Sequence, residues 1–196
     1  PLILSSGMCS LNEITKSLNA IDAIGGYPTI LLITTSEYPT PNESVNLLKF
    51  QTLAKNFPNI PLGFSDHTQG VLASSLACAM GACVFEKHFT LSHNLPGPDH
   101  WFSADPNELI QWIKSIRTSH IMMGSEEIKP TKSEEMLKLT ARRSIFAISD
   151  IKEGDVFSMK NIGLRRPGNG LPPEYFEIIL GKKSTKYFKK GELIEL

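Results

Sequence analysis

The stretch "IPLGFSDHTQGVLASSLACAMGACVFEKHFT", residues 60–90, decides the fold. Residues 60–66 read as a buried strand, 70–81 as a helix of small residues, and 82–90 as a second strand. Short apolar runs bounded by turn residues suit strands buried on both faces. Each strand stops at a sudden cluster of ionisable groups, Ser65-Asp66-His67 in one case and Glu86-Lys87-His88 in the other. A third cluster, "PGPDH" at 96–100, follows. The chain has five histidines, and each of these clusters holds one.

The same strand-then-helix pattern extends outward. Upstream, "LILSSGM" (2–8) is a strand, and Ser10 with Glu13 forms a capping box that opens a helix. "PTILLITTS" (28–36) is a further strand. A proline-rich turn leads from it into an amphipathic helix with Leu47, Phe50, Leu53 and Phe57 on one face. Downstream, Asp105-Pro106-Asn107-Glu108 opens a helix carrying Leu109, Ile113 and Ile116. Four strand–helix units in succession imply parallel strands with right-handed crossovers. Either half of an eight-fold β/α barrel or a doubly wound sheet would satisfy the spacing. Two observations favour the barrel. Polar residues gather where strands end (Ser5/Ser6, Ser36/Tyr38, Ser65/His67, Glu86/His88), which is the rim where barrels build their sites. No Gly-x-Gly-x-x-Gly follows any strand, as a dinucleotide site would need.

Residues 124–141 are polar and lack strand character, so they read as a linker with one helical turn at most. From Arg142 the texture changes to short β-like runs broken by Gly and Asp turns, which suggests a small β-rich domain. The 196 residues contain 20 basic and 20 acidic side chains, so nothing in the composition calls for nucleic acid or a membrane surface as partner. The balance hides an asymmetry: residues 1–137 hold 8 basic and 13 acidic groups, residues 138–196 hold 12 and 7. Lobes of opposite sign attract, within a chain or between chains. Three cysteines (Cys9, Cys78, Cys83) give an odd count without a Cys-x-x-Cys, which points to a reduced, cytoplasmic protein. No apolar stretch approaches the ~20 residues of a membrane helix, and none has a signal-peptide pattern. Because "PLILSSG" already reads as a strand, we expect an upstream part of a longer protein.

His67 and His88 lie one β/α unit apart, at matched rims of adjacent strands. Strands run ~4.8 Å apart, so two imidazoles there can share one ion. Two neutral imidazoles with water in the open positions suit a divalent transition metal such as Mn²⁺. Asp66 and Glu86 are candidates to orient the rings, with an ordinary hydrogen-bonded strand-end histidine as the alternative for each. Period-two alternation puts Ser65 with His67 and Glu86 with His88 on one face. Asp99 sits in a loop braced by Pro96 and Pro98, and a turn-forming Asp is its alternative. Arg165 and Arg166 precede a Pro-Gly-Asn-Gly turn, where a guanidinium can clamp an oxyanion or amide oxygen or simply face solvent. His93, His120 and the lysines at 182, 183, 186, 189 and 190 read as solvated groups.

The motifs "TSEYPTP", "GFSDHTQG", "FEKHFTL", "LPGPDH" and "RPGNG", in this order over nearly the whole chain, resemble those of the sialic acid synthases. The resemblance implies an α/β chain holding the C-terminal half (strands five to eight) of an eight-fold β/α (TIM) barrel, followed by an antifreeze-like (SAF) domain. The expected division is 1–123 for the partial barrel, 124–141 for the linker and 142–196 for the SAF domain. It implies condensation of phosphoenolpyruvate with the open-chain aldehyde of N-acetylmannosamine, giving N-acetylneuraminic acid and phosphate. By the same resemblance His67 and His88 are ligands of Mn²⁺ or Mg²⁺. Ser5, Ser6, Ser36 and Ser65 would contact phosphoenolpyruvate, Ser36 standing where some members have Asn. Tyr38 and Asp99 would hold the amino sugar, Glu86 would stabilise charge or move a proton, and Arg166 would reach the N-acetyl group from a partner subunit in a domain-swapped homodimer.

The family's strand-one Glu and the lysines and glutamine of strands two to four have no counterpart in these residues. With half a barrel and two unpaired sheet edges, we expect the chain alone to be inactive and poorly soluble unless it self-associates. A relative making legionaminic or pseudaminic acid is one alternative. A non-catalytic fragment in which only the SAF domain functions is another.

Overall fold

The computed structural model describes residues 1–195. It divides into two compact units, Pro1–Ser125 and Glu126–Leu196, each with its own hydrophobic core.

The first unit is an α/β layer structure. Four strands, β1 (Leu2–Ser5), β2 (Thr29–Ile33), β3 (Leu62–Asp66) and β4 (Val84–Lys87), form one sheet in sequence order with every neighbouring pair parallel. Between them run α1 (Leu11–Ala20), α2 (Asn42–Val45), α3 (Lys49–Asn56) and α4 (Leu72–Ala79), and α5 (Pro106–Met123) follows β4. The strand–helix alternation legible in the sequence is therefore present, with each strand shorter than its apolar run. The short helix α2 lies within what reads as a proline-rich turn.

Local chemistry explains the boundaries. Ser10 and Glu13 close the expected capping box on α1, and Asp105 and Glu108 close another on α5, with Pro106 in its first turn. Phe50 and Leu53 turn the buried face of α3 inward, and Phe57 caps it. Leu18, Leu31, Ile33 and Phe50 have no exposed surface at all. Full burial contributes ~1.5–3 kcal/mol for each such side chain, so this core holds the sheet against its helices. Gly63 in β3 meets a tight constraint, because a Cβ there would lie 2.6 Å from the Val84 carbonyl oxygen. Among the described residues no helix is long and apolar enough to cross a membrane.

The second unit begins with α6 (Lys132–Ala141). A ten-residue helix thus stands where the sequence reads as a linker with a single turn. Its Thr131/Glu134 capping box accounts for the start, and none of its residues is buried, which is why no apolar periodicity betrays it. β5 (Ser144–Ala147) and β6 (Ile162–Arg165) pair antiparallel. Isolated bridges such as Ile151–Phe188 and Val156–Lys183 fasten the loops around them. The core of this unit is its own, built on Ile145, Ile151, Ile162, Ile179, Phe188 and Ile194. A short 3₁₀ turn (Pro173–Tyr175) and α7 (Phe176–Ile179) complete it.

Candidate active site

Parallel strands present all their C-terminal ends on one side of the sheet, and the candidate residues collect at the ends of β2, β3 and β4. In register, Ser65 faces Glu86 and Asp66 faces Lys87. Alternation then places Ser65, His67, Glu86 and His88 on one face and Asp66 and Lys87 on the other. Contacts bear this out. The Ser65 hydroxyl donates to Glu86 Oε1 at 2.7 Å and lies 3.5 Å from His67 Nε2. The His67 and His88 rings stand edge-to-face with centroids 5.2 Å apart.

Tyr38 covers this pair. Its ring centre is 4.3 Å from that of His67 and 5.6 Å from that of His88. Phe102, which spacing gave no reason to single out, closes the cluster at 5.1 Å from His88 and 5.6 Å from Tyr38. It comes from the long loop after β4, where side-chain direction has no period to read. Asp99, on the same loop, puts Oδ2 3.8 Å from His88 Nδ1. Its backbone carbonyl is held by the Ser103 amide and hydroxyl.

His67 is buried, and its Nδ1 lies 2.8 Å from the Thr35 carbonyl oxygen. A carbonyl only accepts, so Nδ1 carries the proton and Nε2 keeps its lone pair. Burial lowers the pKa of this imidazole, the Thr35 carbonyl works against that, and His88 adds to it. The orienting partner is therefore a backbone carbonyl. Asp66 and Glu86, expected to orient the rings, do not: Asp66 turns to the opposite face, and Glu86 is engaged by Ser65. The two imidazoles supply nitrogen donors, the donor type that suits a divalent transition ion such as Mn²⁺. They fit Mg²⁺ less well, since that ion prefers an all-oxygen shell.

The other predicted residues are placed differently. Ser6 and Ser36 line a cleft of about 430 Å³ together with Thr34, Thr35 and Lys49. This cleft also touches α1 and α3 through Ile14 and Leu53. It meets the histidine cluster through the Thr34–Thr35 segment, whose hydroxyl and carbonyl contact His67. Lys49, absent from the sequence-based candidates, is the cation in its wall and donates to Thr35 Oγ1 at 3.3 Å. Ser5 is exposed, with its Oγ 3.5 Å from the Gly7 amide. Arg166 is an exposed residue of the second unit, just after β6. His100 of "PGPDH" pairs with the Thr90 hydroxyl at 2.8 Å, so it braces the loop instead of joining the cluster. His93 bonds the Ser103 carbonyl at 3.0 Å and lies 3.2 Å from Glu108.

Residues 1–128 match the model of the NeuB family, and residues 142–195 match that of the SAF domain. An N,N'-diacetyllegionaminic acid synthase of Campylobacter jejuni is 43% identical over 195 residues, covering 98% of this chain and 58% of that protein. Its Legionella pneumophila namesake is 40% identical over 195 residues, covering 97% and 54%. The chain thus spans about half the length of these curated relatives. A solved N-acetylneuraminic acid synthetase of Leptospira borgpetersenii superposes with a TM-score of 0.62 at 34% identity, covering 68% of this chain and 46% of that one.

Proposed function

Because the chain belongs to the NeuB family and carries a SAF domain, we propose that it supplies the aldehyde-binding rim of a sialic-acid-type synthase. In this reading its sheet is strands five to eight of an eight-fold β/α barrel. The reaction joins phosphoenolpyruvate to the open-chain aldehyde of an N-acetylated amino sugar. The observation that carries it is the facing imidazole pair, His67 and His88, with a carboxylate hydrogen-bonded on the same face.

His67 and His88 would hold a divalent ion, and the chemistry such an ion supplies when bound is polarisation of the aldehyde oxygen. Thr35 holds the His67 ring in the tautomer that leaves Nε2 as a ligand atom. The reaction forms a bond from carbon-3 of phosphoenolpyruvate to the aldehyde carbon, whose oxygen gains a proton. Carbon-2, left cationic, takes up water and loses a proton, and phosphate departs with C–O cleavage. Glu86, held in place by the Ser65 hydroxyl, is suited to stabilise the positive carbon or to take the proton from water. Tyr38 and Asp99 flank the imidazoles, where the sugar's aldehyde end would lie. Ser65 is the serine best placed for phosphoenolpyruvate, with Ser5, Ser6 and Ser36 at greater remove. Arg166 reaching the N-acetyl group from a second copy, in a cytoplasmic homodimer, belongs to the same proposal.

The 40–43% identity to two N,N'-diacetyllegionaminic acid synthases favours a 6-deoxy diacetamido sugar as the second reading beside N-acetylmannosamine. The test has two arms. Calorimetric titration should show Mn²⁺ binding by the chain and none by a His67→Ala, His88→Ala double variant. A fusion placing the first β/α units of the Campylobacter relative before Pro1 should consume phosphoenolpyruvate with one of the two sugars, and the chain alone should not. A folded chain that binds Mn²⁺ equally well without both histidines refutes the proposal.

A further inference from the structure

Behind the imidazoles, on the other face of the same two strands, lies a second matched pair. Asp66 and Lys87 are register partners across β3 and β4, and each immediately precedes a histidine. Their side chains are 0% and 6% exposed, with Nζ 3.4 Å from Oδ2. The ammonium also donates to the Thr68 carbonyl at 2.6 Å and reaches the Asp66 carbonyl at 3.5 Å. Those two carbonyls flank His67 on either side. The carboxylate in turn accepts from the Thr68 amide at 2.8 Å and its hydroxyl at 2.7 Å. From the helix side it accepts from Ser74 Oγ and from Trp112 Nε1 at 3.0 Å.

We propose that Lys87 and Asp66 are positioning residues: a buried strut that sets the spacing of the His67 and His88 imidazoles. Its relevance to function rests on reading that pair as an ion site. Three physical points support it. A buried ion pair is weak evidence for stability, since packed apolar groups serve as well, so its use here is better explained by geometry. His67 and His88 directly follow different strands, with α4 between them, so no local turn fixes their separation. Lys87 supplies that link, because its backbone leads directly into His88 while its ammonium grips the chain on both sides of His67. A shared ion tolerates displacements of only about 0.5 Å, and a strut of buried hydrogen bonds meets that tolerance.

The test uses the full chain with Lys87→Met, which keeps length and removes the charge, at a temperature where near-ultraviolet circular dichroism shows a native fold. Two readouts are taken: the ¹⁵N-labelled ring N–H signal of His67 bonded to Thr35, and Mn²⁺ affinity by calorimetry. The strut predicts that Lys87→Met loses or shifts the ring signal and binds Mn²⁺ about 10–100-fold more weakly. Ser74→Ala removes a donor from the same carboxylate at a side chain that makes no contact with Lys87, so its ring signal and Mn²⁺ affinity should match those of wild type. If Lys87→Met does not fold, Asp66→Asn is read in the same way. An unchanged signal and affinity in the strut variant overturns the proposal, as does equal weakening by Ser74→Ala. Wild-type protein that takes up no Mn²⁺, with the ring signal still lost in Lys87→Met, sinks the ion-site reading and leaves the strut standing.

Discussion

The Ser65 hydroxyl donates to Glu86 Oε1 at 2.7 Å across the β3–β4 boundary, on the face that carries His67 and His88. This bond keeps an exposed carboxylate aimed at the rim. Glu86→Gln should therefore lower kcat of the active fusion by about 10²–10⁴-fold, the usual contribution of a placed acid–base group. KM should change little, because the substitution preserves size. The residue is exposed, so its stability should stay within about 0.5 kcal/mol of wild type. Steady-state phosphate release and a urea melt measure the two effects.

Burial holds the His67 imidazole below its ordinary value of 6.5. Just below that pH the unfolded chain binds a proton that the native chain does not, so native stability rises with pH there. The contribution is complete above about pH 6.5 and is lost as pH falls toward the depressed native value. Urea midpoints of the metal-free protein between about pH 5 and pH 7.5 should show this slope, and His67→Gln should flatten it. An equally steep slope in the variant would assign the effect elsewhere.

Gly63→Ala should destabilise the first unit by about 1–3 kcal/mol, the usual cost of overpacking. The added methyl meets the Val84 carbonyl oxygen at 2.6 Å, and a backbone atom cannot swing aside as a side-chain tip can. Calorimetric melting reads the loss. A neutral result would mean that β3 and β4 can spread apart without cost.

In the second unit, the fully buried Ser144 hydroxyl accepts from the Gly170 amide at 2.8 Å, which ties down the end of the turn that follows Arg166. Ser144→Ala strands that amide, and the expected loss is about 1–3 kcal/mol. Ser144→Thr keeps the acceptor and should recover part of it. Melting curves of both variants check the assignment.

Much of the candidate site was legible in the sequence because strand parity is a strict rule. Once residues 62–66 and 84–87 are strands, Ser65, His67, Glu86 and His88 must share a face. The partner that orients His67 was not legible, since the Thr35 carbonyl is backbone and leaves no mark in residue type. Asp66 shows how sequence adjacency misleads: its parity sends it behind the sheet, away from the ring beside it. Phe102 and Asp99 depend on an irregular loop whose path no period encodes. Helix α6 carried a readable capping signal in Thr131 and Glu134 but no apolar stripe, and the stripe is what distinguishes a helix from a polar connector.

The outer position of β1 has a practical consequence. Leu2 and Ile3 are exposed on it, and one row of its amide and carbonyl groups points away from β2. Such a border invites a foreign ribbon to zip alongside. Deuterium should enter those outward amides well before it reaches β2 or β3, and ultracentrifugation should show the sedimentation coefficient climbing with protein concentration. A peptide or domain that occupies this border should slow the exchange and stop the climb together, giving a direct readout for whatever completes the sheet.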